Sequence, residues 1–308
     1  MTMRLPLLVI AASTVFAACE VNLNTEGLSE RETKTFTVKG LPNVVLDTFD
    51  GAIEIHSWDK PEVEVEIEKR AMEQALIDEI KVQADQQGDV VTIKVTGPRR
   101  TEFRGVTIGM HISPTARLRV VVPRSSNIQA TSGDGSIRAE AVEGKILLTT
   151  QDGSVTATRI GGDIQIRSGD GSIRLDNATG KLDLETEDGS IGLEAQPSVL
   201  KARTGDGSIR AMISPESTMT DNWDLATSDG SVMLQLPGLF NAEIDAETSD
   251  GTVRSDHPLL SDEDRLERRR GEDGDERRDR RRILRAKMGD GGKILKVRTG
   301  DGTIRIER

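Results

Sequence analysis

The sequence contains no tyrosine, five phenylalanines and two tryptophans in 308 residues. So few aromatics exclude a core built on ring layers and a broad platform for stacking bases or sugars. The single cysteine excludes an intramolecular disulfide and a cysteine-cluster zinc site. The three histidines, His56, His111 and His257, lie far apart and show no metal-ligand spacing. A net charge of −11 makes the chain as a whole a poor partner for nucleic acid. The apolar run Leu5 to Ala18 is too short to span a bilayer. What is there is 35% hydrophobic residues and 30 glycines, enough for a sizeable core in one large domain or two modest ones.

An internal repeat dominates the chain. Asp-Gly followed by a small residue and a β-branched one recurs at Asp50, Asp134, Asp152, Asp170, Asp188, Asp206, Asp229, Asp250 and Asp301. From Asp134 to Asp206 the spacing is 18, four times in succession. Three residues after each Asp stands Ile or Val; four and six residues before it stand apolar residues such as Leu148 and Ile146, or Leu184 and Leu182. Apolar spacing of two means strand, with one face inward and one outward. Each 18-residue unit therefore holds two short strands and two turns, and one unit cannot bury its own apolar face. The pattern predicts an all-β fold, a single-stranded β-solenoid (β-helix) of stacked ~18-residue coils with parallel ladders.

Stacking implies ladders. The residue two before each Asp is Ser or Thr in all nine repeats, from Thr48 to Thr299. It shares the inward parity, so a hydroxyl ladder that satisfies turn backbone groups is expected. Three residues before the Asp, facing outward, Arg167, Glu185 and Arg203 alternate in charge, which favours one register. Arg138, Arg174 and Arg210 recur on every second coil.

Two stretches break the pattern. Residues 68–80 place Met72, Leu76 and Ile80 on one helical face, predicting a short helix near the N-terminal cap. Residues 256–292 read as an insertion that interrupts the last coil; Ser261–Lys287 carries 9 acidic and 11 basic residues. Segment 60–125 is expected to cap one end of the stack, and the charged insertion to guard the other.

The repeated aspartates Asp134, Asp152, Asp170, Asp188, Asp206, Asp229, Asp250 and Asp301 are the obvious candidates for chemistry. As structural turns, each Asp caps the next amides, and each Gly takes a positive φ. The chemical alternative is a weak calcium site, as in a calcium-binding β-roll. Calcium wants six to eight oxygens, and one Asp per coil supplies few. A polysaccharide-active enzyme on a β-helix would need convergent carboxylates on one distinctive coil, and none stands out. Trp58 and Trp223 read as core or cap residues, and His56 as exposed. No cofactor, no metal and no catalytic residue is assigned.

The N-terminus reads as an address. Residues 1–18 have the length of a secretory signal, and Ala17-Ala18-Cys19 resembles the bacterial lipobox, although Phe16 stands where Leu is usual. The resemblance implies acylation at Cys19 and a membrane partner through that lipid. By the same resemblance Glu20 favours the outer membrane. Residues 19–33 read as a polar tether, 34–125 as an N-terminal β unit and cap, and 126–308 as solenoid repeats.

Residues 51–69, the stretch Ala116–Ile137 and the terminal Leu295–Glu307 resemble units of the bacterial putative-adhesin family of unknown function with β-strand repeats. That resemblance spans most of 34–308. It implies a β-helical fold and a place outside the cytoplasm, and it supplies no catalytic residues. The resulting expectation is a non-enzymatic, lipid-anchored envelope protein with an adhesin-like binding or scaffold surface for an unknown envelope protein or glycan. Its alternative is an accessory of envelope-stress signalling.

Overall fold

A computed structural model describes residues 21–24, 27–98, 113–257 and 282–308. The described chain is all-β apart from one six-residue helix, Gln74–Glu79. The strands form two walls facing each other across an apolar core. One wall holds the strands that lead into each Asp-Gly turn, and the other the strands that leave it. Within each wall the repeats pair in parallel with an offset of one repeat, as in Ile146 with Ile164 and Ile137 with Val155.

The inward positions are those of the two-residue period. Ile146, Leu148, Ile164, Ile166, Leu182 and Leu184 are 0–1% exposed, and the matching positions of the other coils are buried with them. Each such side chain contributes roughly 1.5–3 kcal/mol on burial. Stacking the coils turns these contributions into one continuous core.

The order of coils in space is not their order in sequence. In the first wall the sequence-last strand, Ile294–Thr299, lies between Trp223–Thr227 and Ala242–Thr248. In the second, Ile304–Glu307 lies between Val232–Gln235 and Val253–Ser255. The last coil is thus threaded inward, and the coil before it in sequence is outermost. The N-terminal end does the same. Asn43–Thr48 sits between Val90–Thr96 and Asn127–Ser132, and Ile53–Trp58 between Thr115–Pro123 and Ile137–Glu140.

Antiparallel strands finish both ends. Lys81–Gln87 covers Val90–Thr96; Glu62–Ala71 covers Thr115–Pro123 and is itself covered by Gly27–Thr37. At the other end Arg282–Met288 covers Ala242–Thr248. These outer strands carry Lys81, Asp85, Arg282, Arg285 and Lys287, charges that disfavour further edge pairing.

Several sequence readings change here. The described part of 19–33 is not a tether: Val21–Asn24 and Gly27–Thr37 form an antiparallel strand pair. The helix is shorter than 68–80, because Glu68–Ala71 belongs to a strand whose partners on both sides fix it as extended. Ile77 and Ile80 are buried while Met72 is 48% exposed, so Met72 does not share their face. The stretch 256–292 does not interrupt a coil. It links two complete coils, and its described part includes the strand Arg282–Met288, whose Leu284, Ala286 and Met288 face the core. Cys19, the signal segment 1–18, His111 and the arginines from Arg265 to Arg281 lie outside the described residues.

Candidate functional site

The repeat turns form one long corner of the stack. Its buried side is the hydroxyl ladder: all nine Ser or Thr residues two before each Asp are 0–7% exposed. Thr150 Oγ1 donates to the carbonyl oxygens of Gly133 and Gly135 in the neighbouring coil, each at 2.9 Å, and accepts from the Gly153 amide at 3.2 Å. Ser168, Thr204, Thr227 and Thr299 repeat both halves of this bond pattern. One hydroxyl thus satisfies backbone groups of two turns and ties each coil to the next.

The turn glycines serve a different purpose from the one the sequence suggests. The glycines after Asp134, Asp152, Asp170, Asp188, Asp206, Asp229, Asp250 and Asp301 do not have positive φ. Their need is close approach. A Cβ on Gly153 would stand 2.1 Å from the Gly135 carbonyl oxygen, and one on Gly171 would stand 2.0 Å from that of Gly153. On the repeat corner positive φ occurs at Gly51, after Asp50; the opposite corner has it at Gly144, Gly162 and Gly180 and at the non-glycine residues Ala141, Arg159 and Asn177.

The eight aspartates stand exposed in a column along the outer side of this corner. The backbone amides of Asp170, Asp188, Asp206, Asp229, Asp250 and Asp301 carry stacking bonds, as in Asp170 N–H to Gln151 O at 3.1 Å and Asp206 N–H to Glu187 O at 3.2 Å. The Gly amide that an Asp cap would satisfy is taken by the Thr or Ser hydroxyl. Among the described residues, no three or more His, Cys, Asp or Glu side chains gather where they could hold a metal ion.

The outward faces are laced by ion pairs. Arg167 bridges Asp183 and Glu185, each at 3.0 Å; Arg298 bridges Asp245 at 2.6 Å and Glu247 at 3.4 Å. Arg203 pairs with Asp224, which raises its pKa above the ordinary arginine value. At the N-terminal end Glu68 is 2% exposed and takes bonds from Arg31 and Arg70, each at 3.0 Å. Burial alone would raise its pKa; the Arg31 and Arg70 bonds outweigh that and hold it below the ordinary value. His56 lies 3.3 Å from Glu140 on the outer face. His257 is buried, with Nε2 2.8 Å from the Pro237 carbonyl oxygen.

The described residues form open clefts on the surface. One, of about 590 Å³, runs between Ser217–Met219, Phe240 and Gly291–Lys293 near the C-terminal end. Trp223 is fully buried beneath that end, its ring 5.4 Å from Phe240. Another, of about 520 Å³, lies at an N-terminal corner where Lys39–Leu41, Trp58–Pro61 and Pro123–Ser125 meet. Trp58 is half-buried there instead of in the core. The sequence signal for that corner is Trp58 beside Asp59-Lys60-Pro61, an aromatic next to turn-forming residues.

The fold and the repeat corner agree with a family-level match. The family model described as Toastrack DUF4097 matches residues 43–307. The chain belongs to the Toastrack DUF4097 family. The Toastrack match runs from the threaded N-terminal coil to the threaded C-terminal coil, and so takes in both ends of the stack. A similar solved structure is a putative adhesin from Bacteroides fragilis, 12% identical, covering 90% of this chain and 96% of that one, with a TM-score of 0.47. Another is a putative lipid binding protein from Parabacteroides distasonis, 12% identical, covering 90% and 96%, with a TM-score of 0.40. A third is a putative adhesin from Parabacteroides merdae, 12% identical, covering 90% and 95%, with a TM-score of 0.34. No curated protein matches the chain. Among the described residues no helix is long and apolar enough to cross a membrane.

Proposed function

We propose that this chain is an exported lipoprotein, acylated at Cys19, that serves the cell envelope as a stiff, non-enzymatic binding or scaffold surface. Its partner is an envelope protein or glycan. The central coils, from Asn127 to Ile213, wind as a single-stranded β-helix. The observation that carries the reading is the register lock. Buried hydroxyls, close-packed turn glycines and outward ion pairs fix each coil on the next, so the two outer walls keep their side-chain rows in place. Ten stacked coils at about 4.8 Å each give a body roughly 45 Å long. Such a body presents residues in rows to a large partner and has little freedom to close around a small one. In this reading the exposed aspartates are turn residues and solvated charges, and the outer membrane carries the anchor.

Metabolic labelling with fatty acid, followed by protease treatment of intact cells, tests this. The account expects label in the wild-type chain and none in Cys19→Ser. An unlabelled, freely soluble wild-type product contradicts the anchor. Cleavage of intact cells in the arginine-rich stretch Ser261–Lys287 supports surface display and adhesion. Protection until the outer membrane is permeabilised turns the reading to a periplasmic scaffold, the setting of a stress-signalling accessory.

A further inference from the structure

The N-terminal corner cleft combines features that the repeat does not produce elsewhere among the described residues. Leu41 is 54% exposed, and Pro61 is exposed beside it. The Trp58 ring is half-exposed, and its indole N–H is already given to the Glu62 carbonyl at 2.8 Å. That bond fixes the ring, which lines the cleft. Lys60 Nζ stands 4.4 Å from the Trp58 ring centroid, and Lys39 and Arg124 line the same cleft. Asp59 is the carboxylate of the lining, against three cations. The adjacent Asp89 carboxylate accepts the Lys39 backbone amide at 2.7 Å. A locally basic, apolar-centred corner therefore stands on a chain whose net charge is −11.

The path of the chain points to what this corner meets. Val21 pairs with Glu30 and Asn24 with Gly27, antiparallel. Read from Asn24 back to Val21, this strand runs along Gly27–Thr37 in the direction of Thr37. Thr37 leads directly into Val38–Leu41, the first side of the cleft. Cys19 stands only two residues before Val21 in the sequence. A lipid on Cys19 would have no long leash, and the body would rest close to the bilayer.

We infer that the corner formed by Leu41, Trp58, Lys39, Lys60 and Arg124 docks on the anionic lipid surface of the membrane that holds the anchor. The inference rests on the lipoprotein reading above. Trp and Leu suit the interface between headgroups and acyl chains, and each cation near an anionic surface strengthens binding roughly fivefold. The negative remainder of the body is repelled by the same surface. The corner therefore faces the membrane, and the stack is held in one orientation instead of swinging. The lipid and the corner are two weak signals that act together.

The test uses the unlipidated chain from Glu20, which keeps every described strand, so its outcome does not depend on acylation. The probe is vesicles containing phosphatidylglycerol, compared with vesicles of phosphatidylcholine alone. The expected result is co-sedimentation with the anionic vesicles. Brominated lipid should quench Trp58 and spare the buried Trp223, and Trp58→Phe should abolish the quenching. The triple reversal Lys39→Glu, Lys60→Glu and Arg124→Glu should weaken binding at least about tenfold while leaving the thermal transition in place. Leu41→Ser should weaken it less. A matched reversal on the first wall, Lys145→Glu, Lys181→Glu and Lys201→Glu, should change binding less than about threefold. The inference is overturned by absence of binding, by equal binding to both vesicle types, or by equal loss in the two triples. Failure of the anchor itself would appear only in the fatty-acid labelling.

Discussion

The hydroxyl of Thr299 donates to the carbonyl oxygen of Gly230, 69 residues earlier in the chain, at 2.7 Å. On the other side, Thr248 donates to Gly302 at 3.0 Å, 54 residues away. These two bonds clamp the sequence-last coil between two coils that precede it. A solenoid that simply ended at its last repeat would leave that repeat to fray. Threading the terminal coil inward places it among paired neighbours and leaves the outermost position to a coil held from both of its ends.

The hydroxyl ladder predicts a specific sensitivity. Thr186→Val keeps the shape of the side chain but removes the donor 2.9 Å from the Gly171 carbonyl and 2.8 Å from that of Gly169, which keeps its bond from the Glu187 amide. The expected loss is about 1–3 kcal/mol in urea unfolding, and Thr186→Ser should recover most of it. Equal stability of Val and Thr would show that the ladder is decorative.

The glycine argument separates two substitutions of the same kind. Gly153→Ala drives a methyl to 2.1 Å from a backbone oxygen and should cost about 1–3 kcal/mol or more, because the neighbouring turn cannot retreat without breaking its own ladder. Gly192→Ala meets nothing within 4 Å and should be neutral or slightly stabilising. Thermal unfolding of the two variants side by side checks the contrast.

Much of this was legible in the sequence, and the exceptions have physical causes. Period two and the recurring Asp-Gly placed Ile146, Leu148 and their equivalents in the core, and parity alone put Thr150 on the inward side. The reason for Gly153 was misread because sequence shows a turn but not what lies beneath it. The threading was hidden as well. Strand pairing is blind to chain order, and Leu295–Glu307 carries the same pattern as any other coil, so nothing in its residues marks it as internal. The first strands were missed because Glu30, Arg31 and Glu32 read as solvated, and they belong to an edge strand with one exposed face. The basic corner was missed because its cleft joins Lys39, Lys60 and Arg124, which lie far apart in the sequence.

Glu68 gives a pH dependence with a defined sign. Its folded pKa lies below the ordinary 4.5, so its contribution is present in full above that value and is lost as pH falls through the lower, folded value. Glu68→Gln should therefore be less stable than wild type at neutral pH, with the gap closing as pH falls below the ordinary 4.5 and through the lower, folded value. A gap independent of pH would mean that packing, not charge, holds Glu68 between Arg31 and Arg70. Urea midpoints across pH 3–7 measure it.

The second corner offers a stabilising change. Ala141 has φ of 59°, and Asn177 holds the equivalent place two coils on with φ of 55°. Asn tolerates this conformation better than Ala, so Ala141→Asn should raise stability by roughly 0.5–1 kcal/mol. A loss on that substitution, read from the melting temperature, would show that the site selects against a polar side chain.

Cysteine cross-linking across the C-terminal coils tests the architecture most directly. In a Cys19→Ser background, Met233→Cys is combined with either Arg305→Cys or Arg254→Cys. Met233 pairs with Arg305, and Arg305 with Arg254. The first pair is one strand spacing apart, about 4.8 Å, and the second is two, about 9.6 Å. A disulfide needs Cα atoms within about 7 Å. The account predicts rapid oxidation of the 233–305 pair and none of the 233–254 pair. The reverse result, with 233–254 closing and 233–305 free, would mean that coils stack in sequence order and that the last coil is an end and not an interior rung.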